Sequence, residues 1–149
     1  MREENALLHM VVEQTRHYPM RMNYDPATKA FSESEFGFLG HTRGFTKPYG
    51  WIRESGTPPG PHWDCMLMSD GEFQLGDEVA VRIVGLFRRN DGDHKYVAVE
   101  ASRPVCDLGE LSAEELCELH RFYPRAREGE GWFGREEALF CMEHHEKAL

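Results

Sequence analysis

The chain has 149 residues, a length that suits one domain with a real hydrophobic core, and we expect a single domain over residues 1–149. The formal net charge of −9 opposes nonspecific binding to nucleic acid or to an anionic membrane. No apolar stretch reaches the ~20 residues of a membrane span, and the charged start has too short an apolar run for a signal peptide. These features predict a cytoplasmic protein with no membrane or nucleic-acid partner.

The first half of the chain predicts short strands joined by tight turns. The apolar run at 7–13 has the length of a strand, and the segment 20–24 is followed by a turn that Pro26 fixes, which predicts a hairpin. Glycine alternates with aromatics from Phe36 to Trp51, and the segment 41–52 has too many breakers for a helix, so irregular and short-strand structure is expected there. A loop rich in proline and glycine then leads into a buried strand that begins at Asp64.

The second half changes from strands to helices. The longest β pattern covers 78–89, and the sequence NDGD at 90–93 is a strong hairpin signal. Ser112 opens a segment with the spacing of a capping box, which predicts a helix that Pro124 ends, and a second helix is expected over 135–148. The whole pattern predicts a mainly β (α+β) fold, an OB-like closed antiparallel β-barrel with C-terminal helices packed on it.

The four cysteines, at 65, 106, 117 and 141, show no CxxC spacing. They occur in apolar or helical surroundings, which favours reduced thiols in the core over a zinc site.

The predicted turn between the two long strands carries acidic residues that two hypotheses explain. Asp91 and Asp93 lie two residues apart, and Lys95 lies two further on. In an extended backbone the three side chains share one face, within reach of one cation and one phosphate. The alternative is a hairpin turn in solvent. Asp64 begins a buried strand, where a lone carboxylate is costly unless it is paired or bound to a metal, and a loop-capping role is its alternative.

Other candidates are weaker when each is taken alone. Glu13 ends the first predicted strand and Arg21 opens the second, so both fit ordinary surface charges. Tyr49 and Tyr123 fit core aromatics with hydrogen-bonded hydroxyls. His62, just before the buried strand, is the nearby group able to take a proton near neutral pH, and a simple exposed loop histidine is the alternative.

The order of these residues resembles the soluble inorganic pyrophosphatases of family I, from about Val11 to Phe133. RMNYDPATKAF is similar to the family's KYEYDKETGxF, and PYGWI is similar to NYGFI or NYGYI. LGDEVAVRIVGLFRRNDGDHKYVAV follows PGxVIxxRPIGVLxMxDExGEDxKxxAV. Each block alone is a weak signal, and their spacing is specific. The resemblance implies a five-stranded OB-like barrel with flanking helices.

The resemblance also implies a chemistry and a set of site residues. The family uses several Mg²⁺ ions, for which Mn²⁺ is an alternative, to bridge pyrophosphate oxygens and to generate a bound hydroxide. The implied metal ligands are Glu13, Asp64, Asp91 and Asp93. The implied phosphate contacts are Arg21, Tyr49, Lys95 and Tyr123. The expected partner is pyrophosphate or another phosphate-containing small molecule. Bacterial members often form hexamers, so a homo-oligomer is one assembly that the resemblance allows.

The chain departs from the family in the DGDPxD motif. The first two aspartates are replaced by Pro59 and Pro61, and only the third is present, as Asp64. In the family one missing aspartate binds metal and the middle one is implicated as the base that activates water. Loss of a positioned base costs about 10²- to 10⁴-fold. We expect fewer metal ions than in the family, and His62 is a hypothetical replacement base. The family arginine before YPANYG has no clear counterpart.

Two functional hypotheses follow. In the first, the protein is an inorganic diphosphatase-type hydrolase whose Mg²⁺-dependent hydrolysis of pyrophosphate, or of a related phosphoanhydride, is attenuated by the two lost aspartates. In the alternative, it is a catalytically inactive protein of the same fold that binds a phosphate ligand or acts as an assembly partner. A third class, an OB-type nucleic-acid module, is disfavoured by the charge of −9, because such sites need a basic groove.

Overall fold

The structure is a computed structural model, and it describes residues 7–144. The strands in this range are β1 (Leu8–Gln14), β2 (Met20–Asp25), β3 (Ala30–Gly37), β4 (Tyr49–Ile52), β5 (Asp64–Leu67), β6 (Glu78–Arg88), β7 (Lys95–Glu100) and β8 (Gly131–Gly134). The α-helices are α1 (Leu39–Thr42), α2 (Ala113–Phe122) and α3 (Arg135–His144). None of the helices between residues 7 and 144 is long and apolar enough to cross a membrane.

Five strands close into a barrel in the order β1-β4-β5-β7-β6, because β6 pairs back with β1. Strand β8 extends the sheet on β6, and the β2–β3 hairpin forms a separate two-stranded sheet. The predicted OB-like closed barrel with helices is therefore confirmed. The pairing of β5 with β7 is parallel and the other barrel pairings are antiparallel, so the barrel is mixed and the predicted purely antiparallel pairing was wrong in this one place. The parallel pairing arises because β6 reverses the direction of the chain between β5 and β7.

The barrel strands are apolar on both faces, and successive residues enter different clusters. In β5, Cys65 and Leu67 belong to a cluster that includes Ala138 of α3, whereas Met66 joins a cluster with Leu119 of α2. Full burial of a side chain of this size stabilises the fold by about 1.5–3 kcal/mol. Strands covered on both faces read as continuous apolar runs, which explains why their sequences show little alternation.

The predicted start and stop signals of α2 are confirmed. The Ser112 hydroxyl accepts from the Glu115 amide at 3.1 Å, and the Glu115 carboxylate accepts from the Ser112 amide at 2.9 Å. The helix ends at Phe122, with Tyr123 as its C-cap, because Pro124 lacks the amide that the helix would need. The second predicted helix begins at Arg135 as expected, and its predicted residues beyond 144 lie outside the described part of the chain.

Three sequence expectations differ from the structure. The short helix α1 lies in a segment for which no helix was expected, so that expectation was wrong, and the strand β8 was not predicted. Four residues are too few for a periodic signal. All four cysteines are free thiols, and Cys65 and Cys141 are buried as expected. The placement of Cys106 and Cys117 in the core was wrong, since both are exposed.

Candidate functional site

The parallel pairing of β5 with β7 places Asp64 directly beside Lys95, at the first residue of each strand. The Lys95 ammonium donates to Asp64 Oδ2 at 2.6 Å and to Asp93 Oδ2 at 3.2 Å. The Lys95 side chain is only 8 % exposed, and a buried ammonium is tolerated when opposite charges pair with it. Burial alone would lower the pKa of Lys95, but Asp64, Tyr123 and Asp93 together outweigh burial and the pKa is raised. Lys95 is therefore a fixed positive charge.

A β-bulge in β1 directs Glu13 toward the same cluster. Val12 pairs with Gly50 and Gln14 pairs with Tyr49, so Glu13 is the extra residue between two consecutive partners. Bulges of this kind re-aim a side chain next to a functional site. Burial, followed by the Asp64 carboxylate, raises the pKa of Glu13 to about 7, although Arg21 and other cations oppose the shift. Glu13 is thus poised between its neutral and charged forms near neutral pH.

The proline-rich loop before β5 folds back on itself and delivers His62. The Ser55 hydroxyl donates to the Ile52 carbonyl at 2.6 Å and accepts from the Trp63 amide at 2.8 Å, which ties the two ends of the loop together. Gly56 has φ +139°, and a Cβ there would lie 2.0 Å from the Pro61 carbonyl oxygen, so only glycine fits.

Both ring nitrogens of His62 face oxygen atoms. Nδ1 lies 2.7 Å from the Gly60 carbonyl oxygen, and Nε2 lies 3.1 Å from Asp64 Oδ1. A neutral imidazole has one N–H, whereas the protonated ring donates to both acceptors. The hydrogen bond with Asp64 therefore raises the pKa of His62. In return, His62 and Lys95 overcome the effect of burial and lower the pKa of Asp64 to about 2. The role of His62 as a base stays a prediction, and this geometry favours the protonated ring.

The turn after β6 supplies the outer part of the cluster. Asp91 Oδ1 accepts from the Asp93 amide at 2.9 Å, which fixes the turn that the sequence predicted. Arg89 reaches across it, with Nη2 3.6 Å from Asp91 Oδ2 and Nη1 3.5 Å from Asp93 Oδ2. The side chains of Asp91 and Asp93 are more than half exposed, so water screens these pairs.

Two tyrosines complete the wall. Tyr49 opens β4, and burial, with a contribution from Asp64, holds its pKa well above the usual value, so its hydroxyl keeps its proton. Tyr123, at the C-cap of α2, stacks on Phe87 with ring centroids 4.4 Å apart and on Phe122 at 4.8 Å. Burial also raises the pKa of Tyr123. Both hydroxyls are available as neutral donors.

Arg21 reaches the cluster from the β2–β3 hairpin. The hairpin is anchored on the barrel by aromatic contacts, with the Tyr24 and Trp51 ring centroids 4.9 Å apart. Arg21 itself is exposed and lines the mouth of the cavity.

Most of these side chains line a cavity of about 650 Å³, whereas the predicted ligands Glu13 and Asp91 are not among its lining residues. Three of its lining residues are arginine or lysine and two are aspartate, so the lining is slightly cationic although the whole chain carries −9. A locally positive cleft raises the concentration of anions at its surface. The charged lining residues are Arg21, Arg89, Lys95, Asp64 and Asp93, with His62, Tyr49 and Tyr123 as the other polar ones.

The four predicted metal ligands do not form one coordination set. Among residues 7–144, no group of three or more histidine, cysteine, aspartate or glutamate side chains is placed to hold a metal ion. The Lys95 ammonium lies between Asp64 and Asp93, and Arg89 pairs with both Asp91 and Asp93. Each of these three aspartates thus already has at least one of the two protein cations beside it. This arrangement does not fit a cluster of several Mg²⁺ ions, whose ligands must surround each ion closely.

The structure therefore brings together most of the predicted site residues, while their individual roles stay predictions. Asp64, Asp93 and Lys95 are in direct contact, and the predicted phosphate contacts line one cavity with them. Arg89 was missed. A signal was present, because two consecutive arginines at the end of a strand must point to opposite faces of the sheet.

Comparisons with known proteins agree with this architecture. The model of the family described as inorganic pyrophosphatase matches residues 10–148. The chain is similar to the crystal structure of an inorganic pyrophosphatase from Neisseria gonorrhoeae, with 18% identity, a TM-score of 0.72, and coverage of 93% of this chain and 88% of that one. It is also similar to the crystal structure of the inorganic pyrophosphatase from Thermus thermophilus, with 23% identity and a TM-score of 0.68. That match covers 95% of this chain and 90% of the other. These likenesses show a shared fold. No curated protein sequence matches the chain.

Proposed function

Because the chain belongs to the inorganic pyrophosphatase family, as its sequence resemblance predicted, we propose that it binds pyrophosphate or a related phosphoanhydride in this cavity and hydrolyses it at an attenuated rate. The observation that carries the proposal is the cationic lining of the cavity in an otherwise acidic chain. Its volume of about 650 Å³ lies within the usual range of small-molecule sites.

The residues of the cavity have complementary tasks in this proposal. Lys95 and Arg21 neutralise the charge of the phosphate groups, and the neutral hydroxyls of Tyr49 and Tyr123 donate hydrogen bonds to their oxygens. Hydrolysis breaks the bridging P–O bond when the oxygen of water attacks one phosphorus. The other phosphate leaves with the bridging oxygen, and the attacking water gives up its proton to solvent or to a phosphate oxygen. Both ring nitrogens of His62 already face protein oxygen atoms, so His62 is expected to act here through its charge, and its role as a base stays a prediction.

The attenuation follows from the loop that carries His62. Pro59 and Pro61 line the cavity where the family resemblance expects aspartates. Proline has no side-chain oxygen, so neither side chain can accept a proton from water or bind a metal ion. The family generally uses Mg²⁺. We expect Mg²⁺ or Mn²⁺ to act here in smaller number, because the described carboxylates do not form a multi-ion site.

The test is phosphate release from pyrophosphate in the presence of Mg²⁺ or Mn²⁺, measured for the wild type, Asp64→Asn and Asp93→Asn. Asp70→Asn is the matched control, because the Asp70 side chain is 91% exposed and does not line the cavity. We expect slow release by the wild type and the control and a loss of at least tenfold in both cavity variants. Equal background release by all four proteins would contradict the hydrolase.

A binding measurement distinguishes the catalytically inactive alternative from the hydrolase. Titration calorimetry with pyrophosphate on the same four proteins reports the complex whether or not turnover occurs. Binding without release would favour the inactive phosphate binder, and absence of both would contradict the cavity as a phosphate site. The cytoplasmic location, the single domain and a homo-oligomeric assembly stay predictions, to be checked by fractionation, limited proteolysis and light scattering.

A further inference from the structure

Two adjacent arginines follow different paths at the end of β6. Arg88 is the last residue of the strand and points away from the cavity, where its Nη1 lies 2.7 Å from Glu137 Oε2 of α3. Arg89 is the next residue, and its side chain lines the cavity. The period of two along an extended chain explains the difference, because successive side chains point to opposite faces.

Within residues 7–144, the guanidinium of Arg89 makes longer contacts and no hydrogen bond. Its two contacts with Asp91 and Asp93 are 3.6 and 3.5 Å long, beyond the 2.7–3.2 Å of an N–H···O hydrogen bond. Its Cζ lies 6.0 Å from the centroid of the Tyr123 ring, within the range of a cation–π interaction. Guanidinium has five N–H donors and a planar fork that matches two phosphate oxygens.

The positions of the protein cations also bear on the metal ions that the family resemblance implies. The Lys95 ammonium contacts both Asp64 and Asp93, and Arg89 pairs with Asp93 and Asp91. A divalent cation entering this cluster would have to displace the Lys95 ammonium and the Arg89 guanidinium from the carboxylates that they pair with. A phosphate group entering it would be repelled by those carboxylates and attracted by the two cations. Lys95 and Arg89 are therefore the groups of the cluster that supply attraction for an anion.

We propose that Arg89 is a phosphate-binding residue and that, together with Lys95, it lets the cavity bind pyrophosphate in the absence of divalent metal ions. The inference rests on the proposed function, since it takes pyrophosphate as the ligand. It assigns to protein side chains a neutralising role that bound metal ions otherwise fill. Arg89 also supplies an arginine to a site in which the arginine expected before β4 has no clear counterpart.

The experiment is calorimetric titration of the full chain with pyrophosphate, once in EDTA and once in Mg²⁺. The variants are Arg89→Met and Arg89→Lys, and Arg88→Met is the matched control on the opposite face. We expect the wild type and Arg88→Met to bind in EDTA, and Arg89→Met to bind at least tenfold more weakly. Arg89→Lys should fall between them, because a point charge does not replace the planar fork. Circular dichroism melts confirm that each variant is folded.

The outcomes separate the two proposals. Wild-type binding that requires Mg²⁺ and disappears in EDTA would overturn the inference and leave the proposed function standing. Equal affinities of Arg89→Met and Arg88→Met in EDTA would overturn the role of Arg89. Absence of binding in both buffers would overturn the proposed function and, with it, the inference.

Discussion

The ammonium of Lys95 joins two aspartates that are held in very different ways. Asp64 is fixed by β5, and its side chain is 15% exposed, whereas Asp93 lies in a turn and its side chain is 56% exposed. Charges on barrel strands interact through a partly buried environment, and charges on the turn interact through water. We infer that the strand half of the site, which includes Asp64, contributes to folding as well as to binding. The turn half, which includes Asp93, is free to serve the ligand alone.

The largest expected effect comes from breaking the strand half. Lys95→Met should lower the free energy of unfolding by about 3–5 kcal/mol, because it leaves the buried Asp64 carboxylate without its closest cation. Urea unfolding followed by tryptophan fluorescence measures the change. The double variant Lys95→Met/Asp64→Leu should recover much of the loss, since no unpaired charge is left. A loss below about 1 kcal/mol in the single variant would contradict the contribution of the strand half to folding.

Glu13 offers a pH test of the same half. A carboxyl group with a higher pKa in the folded than in the unfolded chain stabilises the fold fully below its unfolded pKa, and this contribution is lost as the pH rises through the folded value. For Glu13 these values are 4.5 and about 7. The difference corresponds to about 3 kcal/mol at most.

The measurement compares the unfolding free energies of the wild type and Glu13→Gln at pH 5 and pH 8. The wild type should lose stability relative to the variant between the two values, because glutamine has no proton to lose. The control is Glu78→Gln, because Glu78 lies on the barrel surface. Gln14→Glu would be unsuitable, because Gln14 is buried and accepts a hydrogen bond from Met22 of the hairpin. A constant difference between wild type and Glu13→Gln would contradict the raised pKa.

The smallest stability effects are expected in the turn half. Asp93→Asn should change the free energy of unfolding by less than about 1 kcal/mol, because its ion pairs with Arg89 and Lys95 are on the exposed side of the cluster. Thermal melts at low and high salt measure it. Pyrophosphate affinity should change more than stability does, and a stability loss comparable to that of Lys95→Met would remove the distinction between the two halves.

The two halves also differ in how far the sequence predicts them. The turn was visible because NDGD between two apolar runs is a local signal, and Gly92 adopts φ +84° there. The contact between Asp64 and Lys95 depends on the parallel pairing of two strands separated by a third, which no local pattern encodes. The direction of Glu13 depends on a bulge whose register is set by β4. The family resemblance supplied Glu13, Asp64 and Lys95 as candidates, and the fold shows why they lie close together.

The tied ends of the loop before β5 have a consequence for the cost of binding. Ser55 bonds both Ile52 and Trp63, and the Ile52 amide donates to the Trp63 carbonyl at 2.9 Å, so His62 is held in position by the protein itself. A mobile loop must lose conformational entropy when a ligand arrives, and that loss weakens affinity. Here the ordering is completed during folding, so the ligand meets a preorganised wall. The substitution Ser55→Ala should therefore weaken pyrophosphate binding through entropy, without removing any group that contacts the pyrophosphate.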